Sequence, residues 1–159
     1  MKERLKRMYI GIIIILGLIG IDQITKFIAR KYLMPKGSVS VINGFFRFTY
    51  VENRGGAWGS LSGKYWFFIV ITVIALGVLA YLFKDFDLKG NTVYSIGLCF
   101  LLAGTLGNFI DRIIFKYVTD FLDFTFFGYD FPVFNVADMC LTCGVILIII
   151  KVLFLTKGE

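Results

Sequence analysis

The chain has 159 residues and a formal net charge of +6, and 58% of its residues are hydrophobic. Its mean hydropathy is +0.80. A soluble domain of this size carries far more polar residues, so the composition indicates an integral membrane protein. The sequence contains no His and three Cys, which excludes a Ser-His triad and a His-based metal site. In a membrane protein the positive charge favours contact with anionic lipid head groups, and we expect no nucleic-acid partner.

Four apolar stretches are long enough to cross a bilayer, which needs roughly 20 apolar residues per helix. We predict transmembrane helices at residues of about 8–30, 65–83, 92–110 and 139–156, within a single domain covering 1–159. The basic N-terminus resembles a secretory signal, but no small-residue cleavage site follows it, so we expect a retained first helix. Four spans place both termini on one side. Lys and Arg are divided almost evenly between the two sides, so the prediction that the termini are cytoplasmic depends on the tight N-terminal cluster.

The first predicted span contains two charged residues, Asp22 and Lys26. Asp22 lies 15 residues after Arg7, which is roughly 22 Å along a helix. It therefore falls inside a hydrocarbon core about 30 Å thick. Lys26 follows on the same helix face, where the two side chains can pair. We interpret them as a buried ion pair that supports stability and assembly, with a catalytic role as the alternative.

The polar interval after the first span carries a hairpin signal. Asn43-Gly44 separates two apolar runs, and residues 46–50 alternate between apolar and polar as a half-buried strand does. The pair Gly55-Gly56 allows a backbone turn that few other residues adopt. Asn53 precedes this turn, either as a turn residue or as a side chain that holds a substrate backbone. Trp58 fits an aromatic belt at the membrane interface.

Acidic residues are concentrated around the interval between the third and fourth spans. Of the 11 Asp and Glu in the chain, five fall there: Asp111, Asp120, Asp123, Asp130 and Asp138. Ionising a carboxyl group at the edge of a bilayer costs free energy, so we expect the pKa values of these acids to be shifted. Asp138 is compatible with the first turn of a helix capped by Asn135. Asp120, Asp123 and Asp130 are each compatible with an exposed loop, and nothing local separates them.

A functional interpretation brings two of these carboxylates together at the mouth of a helix bundle. Like charges at close range do not both ionise easily, so one acid keeps its proton. The ionised acid takes a proton from water as that water attacks a peptide carbonyl, and the protonated acid donates to the carbonyl oxygen. This aspartyl peptidase chemistry needs no metal or cofactor. The helix dipole favours Asp138 as the ionised member, although a coupled pair titrates jointly.

Two other functions are compatible with parts of the sequence. Cys140 and Cys143 form a C-x-x-C motif, as in a four-helix membrane disulfide oxidoreductase. Such a relay normally needs a second cysteine pair, and only Cys99 remains, so helix packing is the simpler explanation. A small transporter or assembly scaffold would also bury charges, but it would not need two acids gathered at one face.

The motifs and their order resemble those of the bacterial lipoprotein signal peptidases, the type II signal peptidases. The similarity covers nearly the whole chain, and Gly56 is the one departure, at a position where Ala is also common. The matching segments are Asp22-Gln23-Ile24-Thr25-Lys26, Asn53-Arg54-Gly55-Gly56-Ala57-Trp58-Gly59, Gly107-Asn108 with Asp111-Arg112, Val118 with Asp120-Phe121, and Phe134-Asn135 with Ala137-Asp138.

The resemblance implies both a fold and a set of site residues. The fold is a membrane all-α bundle of four transmembrane helices with a small extracytoplasmic β-sheet, the cradle, at about 38–62. The catalytic pair falls on Asp120 and Asp138, and the structural pair falls on Asp22 and Lys26. No metal is implied. The substrate-binding and supporting residues are Asn53, Gly55, Asn108, Arg112, Asn135 and Ala137.

The resemblance also implies a substrate, a location and an inhibitor. The substrate is a prolipoprotein whose Cys carries diacylglycerol, cut just before that Cys. The expected location is the bacterial cell membrane, in contact with its lipids and with the site near the extracytoplasmic face. We expect a monomer that is sensitive to globomycin.

Overall fold

A computed structural model of the chain describes residues 2–55 and 64–155, with side chains from residue 6 onwards. The expectations for Gly56 and Trp58 lie outside the described residues. The helices are α1 (Lys2–Tyr32), α2 (Tyr65–Leu82), α3 (Thr92–Phe115) and α4 (Val136–Ile150). The strands are β1 (Ser38–Ile42), β2 (Phe46–Asn53), β3 (Val118–Phe126) and β4 (Tyr129–Asp130). A short 3-10 helix, Phe83–Asp85, extends α2, and a π-helix, Lys151–Leu155, extends α4.

Within the described residues, four helical stretches are long and apolar enough to cross a membrane. They run over Lys6–Tyr32, Tyr65–Asp85, Thr92–Phe115 and Val136–Leu155. Each presents large exposed apolar side chains, such as Ile13 on α1 and Ile74 on α2, which suits a lipid environment. Together with one small antiparallel sheet, they confirm the predicted fold class.

Helix α3 occupies the centre of the bundle, because it contacts each of the other three helices. Two glycines make this possible. A Cβ atom on Gly104 would clash with the carbonyl oxygen of Ala137, and one on Gly107 would lie 2.6 Å from Oδ2 of Asp22. Both positions are far inside van der Waals contact, so only glycine lets α4 and α1 approach α3 this closely.

The sheet has the strand order β1-β2-β3-β4 with antiparallel pairing throughout. The Asn43-Gly44 hairpin is confirmed between β1 and β2, and Gly44 has the positive φ of 75° that such a turn needs. Residues 38–55, the described part of the predicted β region, supply β1 and β2, and the other two strands come from the interval between α3 and α4. The interpretation of that interval as an exposed loop is wrong for Asp120, because Asp120 pairs with Val51 inside the sheet.

The third and fourth helices differ from their predicted bounds. Helix α3 continues beyond residue 110 and ends at Phe115, where the C-cap residue Lys116 has a left-handed backbone and its N–H donates to the carbonyl of Arg112. Helix α4 begins at Val136 because Asn135 caps it. Asp111 therefore lies inside α3, and Asp138 lies in the first turn of α4.

Candidate active site

Asp120 and Asp138 line one cleft of about 570 Å³. Strand β3 leaves the end of α3 and carries Asp120, and α4 starts at the same end of the bundle with Asp138 in its first turn. The structure thus brings together the two acids that the sequence analysis selected. The remaining lining residues are Asn53, Asn108, Arg112, Val118, Phe131, Pro132, Val133, Phe134, Met139, Thr142 and Cys143.

Asp120 is buried, with 1% of its surface exposed. Its Oδ2 accepts a hydrogen bond from Nδ2 of Asn53 at 2.8 Å, and its Oδ1 accepts one from Nδ2 of Asn135 at 2.6 Å. Burial and then the nearby charge of Asp138 raise the pKa of Asp120 to about 7, against the two amide donors. Asp120 therefore holds a proton in a large fraction of molecules near neutral pH.

Asp138 is held by the start of its own helix and by α3. Its Oδ1 accepts a hydrogen bond from Nδ2 of Asn108 at 2.8 Å, and its Oδ2 accepts one from the backbone N–H of Asn135 at 3.2 Å. The backbone N–H of Asp138 in turn donates to Oδ1 of Asn135, which completes a capping box. The capping interpretation is confirmed, and the same geometry turns this carboxylate toward the cleft.

Two asparagines connect the two acids. Nδ2 of Asn135 lies 2.6 Å from Asp120 and 3.1 Å from Oδ1 of Asn108. Oδ1 of Asn108 also accepts a hydrogen bond from Nζ of Lys26 at 2.8 Å, which fixes Nδ2 of Asn108 as the donor to Asp138. The carboxyl groups of Asp120 and Asp138 therefore have fixed orientations, because the asparagine amides that bind them have further hydrogen-bond partners of their own.

Asp22 and Lys26 form a buried ion pair with 2.9 Å between Nζ and Oδ2. Neither residue lines the cleft. Oδ1 of Asp22 accepts the backbone N–H of Ala137 at 2.9 Å, while Lys26 reaches Asn108. The pair therefore stabilises the first turn of α4 through Asp22 and the amide of Asn108 through Lys26, without reaching the cleft.

Of the other predicted site residues, Asn53 and Arg112 line the cleft, whereas Gly55 and Ala137 do not. Arg112 lines it, donates to the carbonyl of Asn108 at 3.3 Å, and lies with its guanidinium 5.0 Å from the centre of the Phe68 ring. The N–H of Gly55 donates to Oδ1 of Asn53 at 3.0 Å. The turn interpretation of Asn53 is therefore confirmed, and Nδ2 of Asn53 is at the same time the donor to Asp120.

The structure separates Asp123 and Asp130 from Asp120. Asp123 is buried, but it does not line the cleft, and it pairs with Arg47 and Thr49 on β2. Asp130 is exposed and contacts Arg47 and Thr125. The expectation of an exposed loop is therefore wrong for Asp123, which is buried on β3, whereas Asp130 is exposed as expected but lies on the short strand β4.

Asp111, Arg30 and Thr119 form a largely buried cluster beside the site, to which no local sequence pattern assigned a role. Oδ1 of Asp111 lies 3.3 Å from Nη1 of Arg30, and Oδ2 accepts the backbone N–H of Thr119 at 2.9 Å. The spacing of residues along α3 could have placed Asp111 on the inner face of the helix. Asp111 follows Gly104, Gly107 and Asn108 at intervals of three to four residues, which is the spacing of one helix face.

The cysteines show no arrangement for electron relay. Cys140 and Cys99 are buried, Cys143 is exposed, and all three are free thiols. The thiol of Cys99 donates to the carbonyl of Gly11 at 3.7 Å, between two helices. In the part of the chain that the structure describes, no three His, Cys, Asp or Glu residues are grouped as metal ligands.

Comparisons with known proteins place the chain in one family. The family model described as signal peptidase (SPase) II matches residues 14–154. Lipoprotein signal peptidases of Staphylococcus aureus strains RF122 and JH9 are 46% and 47% identical over 156 residues, which is 97% of this chain and 95% of each relative. They lend no support to the disulfide oxidoreductase alternative.

Two solved structures of bacterial membrane enzymes have the same fold. One is 44% identical with a TM-score of 0.83, covering 94% of this chain and 92% of its own. The other is 45% identical with a TM-score of 0.80, covering 94% of each chain. With its four membrane-length helices, the protein is a bacterial membrane peptidase, and the chain belongs to the signal peptidase II family.

Proposed function

We propose that this chain is an aspartyl endopeptidase that removes the signal peptide from diacylglyceryl-modified prolipoproteins, cutting just before the lipidated Cys. The observation that carries the proposal is the placement of Asp120 and Asp138 in one cleft, each held by asparagine amides. The substrate class comes from the relatives, which are lipoprotein signal peptidases.

The reaction begins with one acid protonated and the other ionised. Asp120 has a pKa raised to about 7, so it supplies the proton, and Asp138 at the helix N-terminus serves as the base. Asp138 takes a proton from water while the water oxygen bonds to the peptide carbonyl carbon, and Asp120 protonates the carbonyl oxygen. The intermediate collapses when Asp138 protonates the leaving nitrogen, the C–N bond breaks, and the hydroxyl returns its proton to Asp120.

The polar residues around the acids orient the substrate and the carboxylates. Asn53, Asn108 and Asn135 hold the two carboxyl groups in the rotamers that face the cleft. Arg112 places a cation at the cleft wall, where it donates to carbonyl groups of the bound peptide. This arrangement lowers the entropy cost of aligning water, peptide and acids.

The depth of the site fits a lipid-linked substrate. The span Val136–Leu155 has 20 residues, roughly 30 Å as a helix, so Asp138 lies at the head-group level of one membrane face. The basic N-terminal cluster supports a cytoplasmic location for the termini, which would put the acids at the opposite face. A peptide bond at that depth is anchored by a diacylglyceryl group, since each buried CH₂ contributes about 0.8 kcal/mol. The enzyme acts there as a monomer among membrane lipids.

A cleavage assay with matched precursors tests the function. A precursor peptide with a diacylglyceryl-Cys is expected to be cut just before that Cys by the purified enzyme in lipid. The same peptide with a free Cys is expected to be cut far more slowly at equal concentration, because the lipid anchor is missing. Mass spectrometry of the products identifies the bond that is broken. Equal rates on both peptides would point to a general intramembrane peptidase, and no cleavage of the lipidated peptide would overturn the proposal.

The pH dependence of cleavage should report the proton on Asp120. Because its pKa is raised to about 7, Asp120 is protonated and competent below that pH and loses its proton above it. The value of kcat/KM, which reports the free enzyme, is therefore expected to fall as pH rises through about 7. An activity that stays flat from about pH 6 to about 9 would mean that Asp120 is not the acid.

A further inference from the structure

A second set of buried charges lies behind Asp120, on the side of β3 away from the cleft. Asp111 on α3 is fully buried, and the side chain of Arg30 on α1 is 17% exposed. Oδ1 of Asp111 lies 3.3 Å from Nη1 of Arg30, and its Oδ2 lies 3.8 Å from Nζ of Lys26. Neither Asp111 nor Arg30 lines the cleft, so neither reaches a bound peptide.

Asp111 and Arg30 both form hydrogen bonds with Thr119, the residue directly before Asp120. The backbone N–H of Thr119 donates to Oδ2 of Asp111 at 2.9 Å, and Nη1 of Arg30 donates to Oγ1 of Thr119 at 2.8 Å. The guanidinium of Arg30 also lies 4.3 Å from the centre of the Phe115 ring, at the end of α3. Both of these hydrogen bonds to Thr119 come from helices of the bundle.

Within the sheet, Asp120 and Thr119 pair with Val51 and Glu52 on β2. The pairing of β2 with β3 is irregular between Phe48 and Val51, directly beside the position where Val51 meets Asp120. Successive side chains of a strand point to opposite faces. Anchoring Thr119 on one face therefore directs Asp120 to the other face, toward the cleft.

We propose that Asp111 and Arg30 are positioning residues that hold Asp120 in register with Asp138 by anchoring Thr119. This assignment rests on the proposed aspartyl peptidase function. Asp111 also lies near Lys26, which bonds to Asn108, the partner of Asp138. The cluster therefore reaches both acids, Asp120 through Thr119 and Asp138 through Asn108.

The test separates turnover from binding in Asp111→Asn, Thr119→Val and Thr119→Ser. Rates are expressed per folded enzyme, well below the melting temperature of each variant in detergent. Asp111→Asn and Thr119→Val are expected to lower kcat by about tenfold to 100-fold, because small misplacements of a catalytic group are costly. The KM for the lipidated precursor is expected to stay within about twofold, since neither residue touches substrate. Thr119→Ser keeps the acceptor oxygen and is expected to stay near wild type.

The pH profile supplies a readout that lost stability would not move. Burial and the charge of Asp138 raise the pKa of Asp120, and a displaced Asp120 loses part of both. In Asp111→Asn and Thr119→Val, the alkaline fall of kcat/KM is therefore expected at lower pH than in the wild type. If Asp111→Asn does not fold, Thr119→Val carries the test alone, because Val has nearly the shape of Thr.

Asp123→Asn is the matched control, since Asp123 is also a buried acid on β3 that contacts an Arg and a Thr. It lies outside the cleft, so kcat and the pH profile are expected to be unchanged. If the Asp111 and Thr119 variants match this control while the wild type cleaves, the positioning role is overturned and the proposed function stands. A wild type that cuts no lipidated precursor overturns both.

Discussion

Asp120→Asn and Asp138→Asn are each expected to abolish cleavage of a lipidated precursor. Losing a general acid or base typically costs about 10²–10⁴-fold, and a residue that acts in both halves of a reaction costs more. The Asp120→Asn variant should fold normally, because Asp120 is already partly neutral near pH 7 and its pKa is raised to about 7. The measurements are product formation over long incubation and melting in detergent.

The control for these variants is Asp130→Asn, on the same β-hairpin. Asp130 is exposed and lies outside the cleft, so its replacement should leave cleavage unchanged. The double variant Asp120→Asn, Asp138→Asn should be no slower than either single variant, since the two acids act as one unit. Substantial turnover by Asp120→Asn would remove Asp120 from the catalytic pair.

The bundle was predictable because lipid imposes simple rules on sequence. A membrane helix must satisfy its own backbone and needs about 20 apolar residues, so hydropathy alone finds it. The ends were less predictable, since they depend on specific contacts. Helix α3 runs on to Phe115 because Asp111 is neutralised by Arg30 and Lys26, which lie on another helix.

The second half of the sheet could not be predicted from local sequence. Strand β3 pairs with β2 across more than 60 residues of chain, and strand preference depends on such partners. The partners that β2 supplies separate the two acids, because Asp120 meets Asn53 at the cleft while Asp123 contacts Arg47 and Thr49 outside it. The sequence alone therefore left these two acids indistinguishable, and the family motif was needed to choose between them.

The site residues show a related limit. The sequence left a helix cap or a catalytic acid open for Asp138, and a turn residue or a side chain that holds a substrate backbone open for Asn53. In the structure Asp138 belongs to a capping box and also lines the cleft, while Asn53 accepts the N–H of Gly55 and donates to Asp120. Both combinations are possible because a cap or an Asx-turn uses only part of a side chain's hydrogen-bonding capacity. Asp111 was overlooked because its partners lie on α1 and β3, far away in sequence.

The buried pair of Asp22 and Lys26 should dominate the stability of the bundle. Removing one partner of a desolvated pair leaves the other charge stranded and costs about 3–5 kcal/mol. Asp22→Asn should be the milder change, because Asp111 remains 3.8 Å from Nζ of Lys26. Lys26→Met should be the more severe change, because it strands Asp22 and also removes the donor to Asn108. Melting in detergent measures both effects.

The double variant Asp22→Asn, Lys26→Met distinguishes a structural pair from a catalytic one. It should recover part of the stability lost in Lys26→Met, since no charge is then stranded between Asp22 and Lys26. Glu52→Gln is the matched control, because Glu52 and Arg54 form a pair of similar length, 2.8 Å, but exposed to solvent, and its melting should barely change. An Asp22→Asn protein with wild-type melting and no activity would instead place the pair in the catalytic machinery, through its contact with the N–H of Ala137.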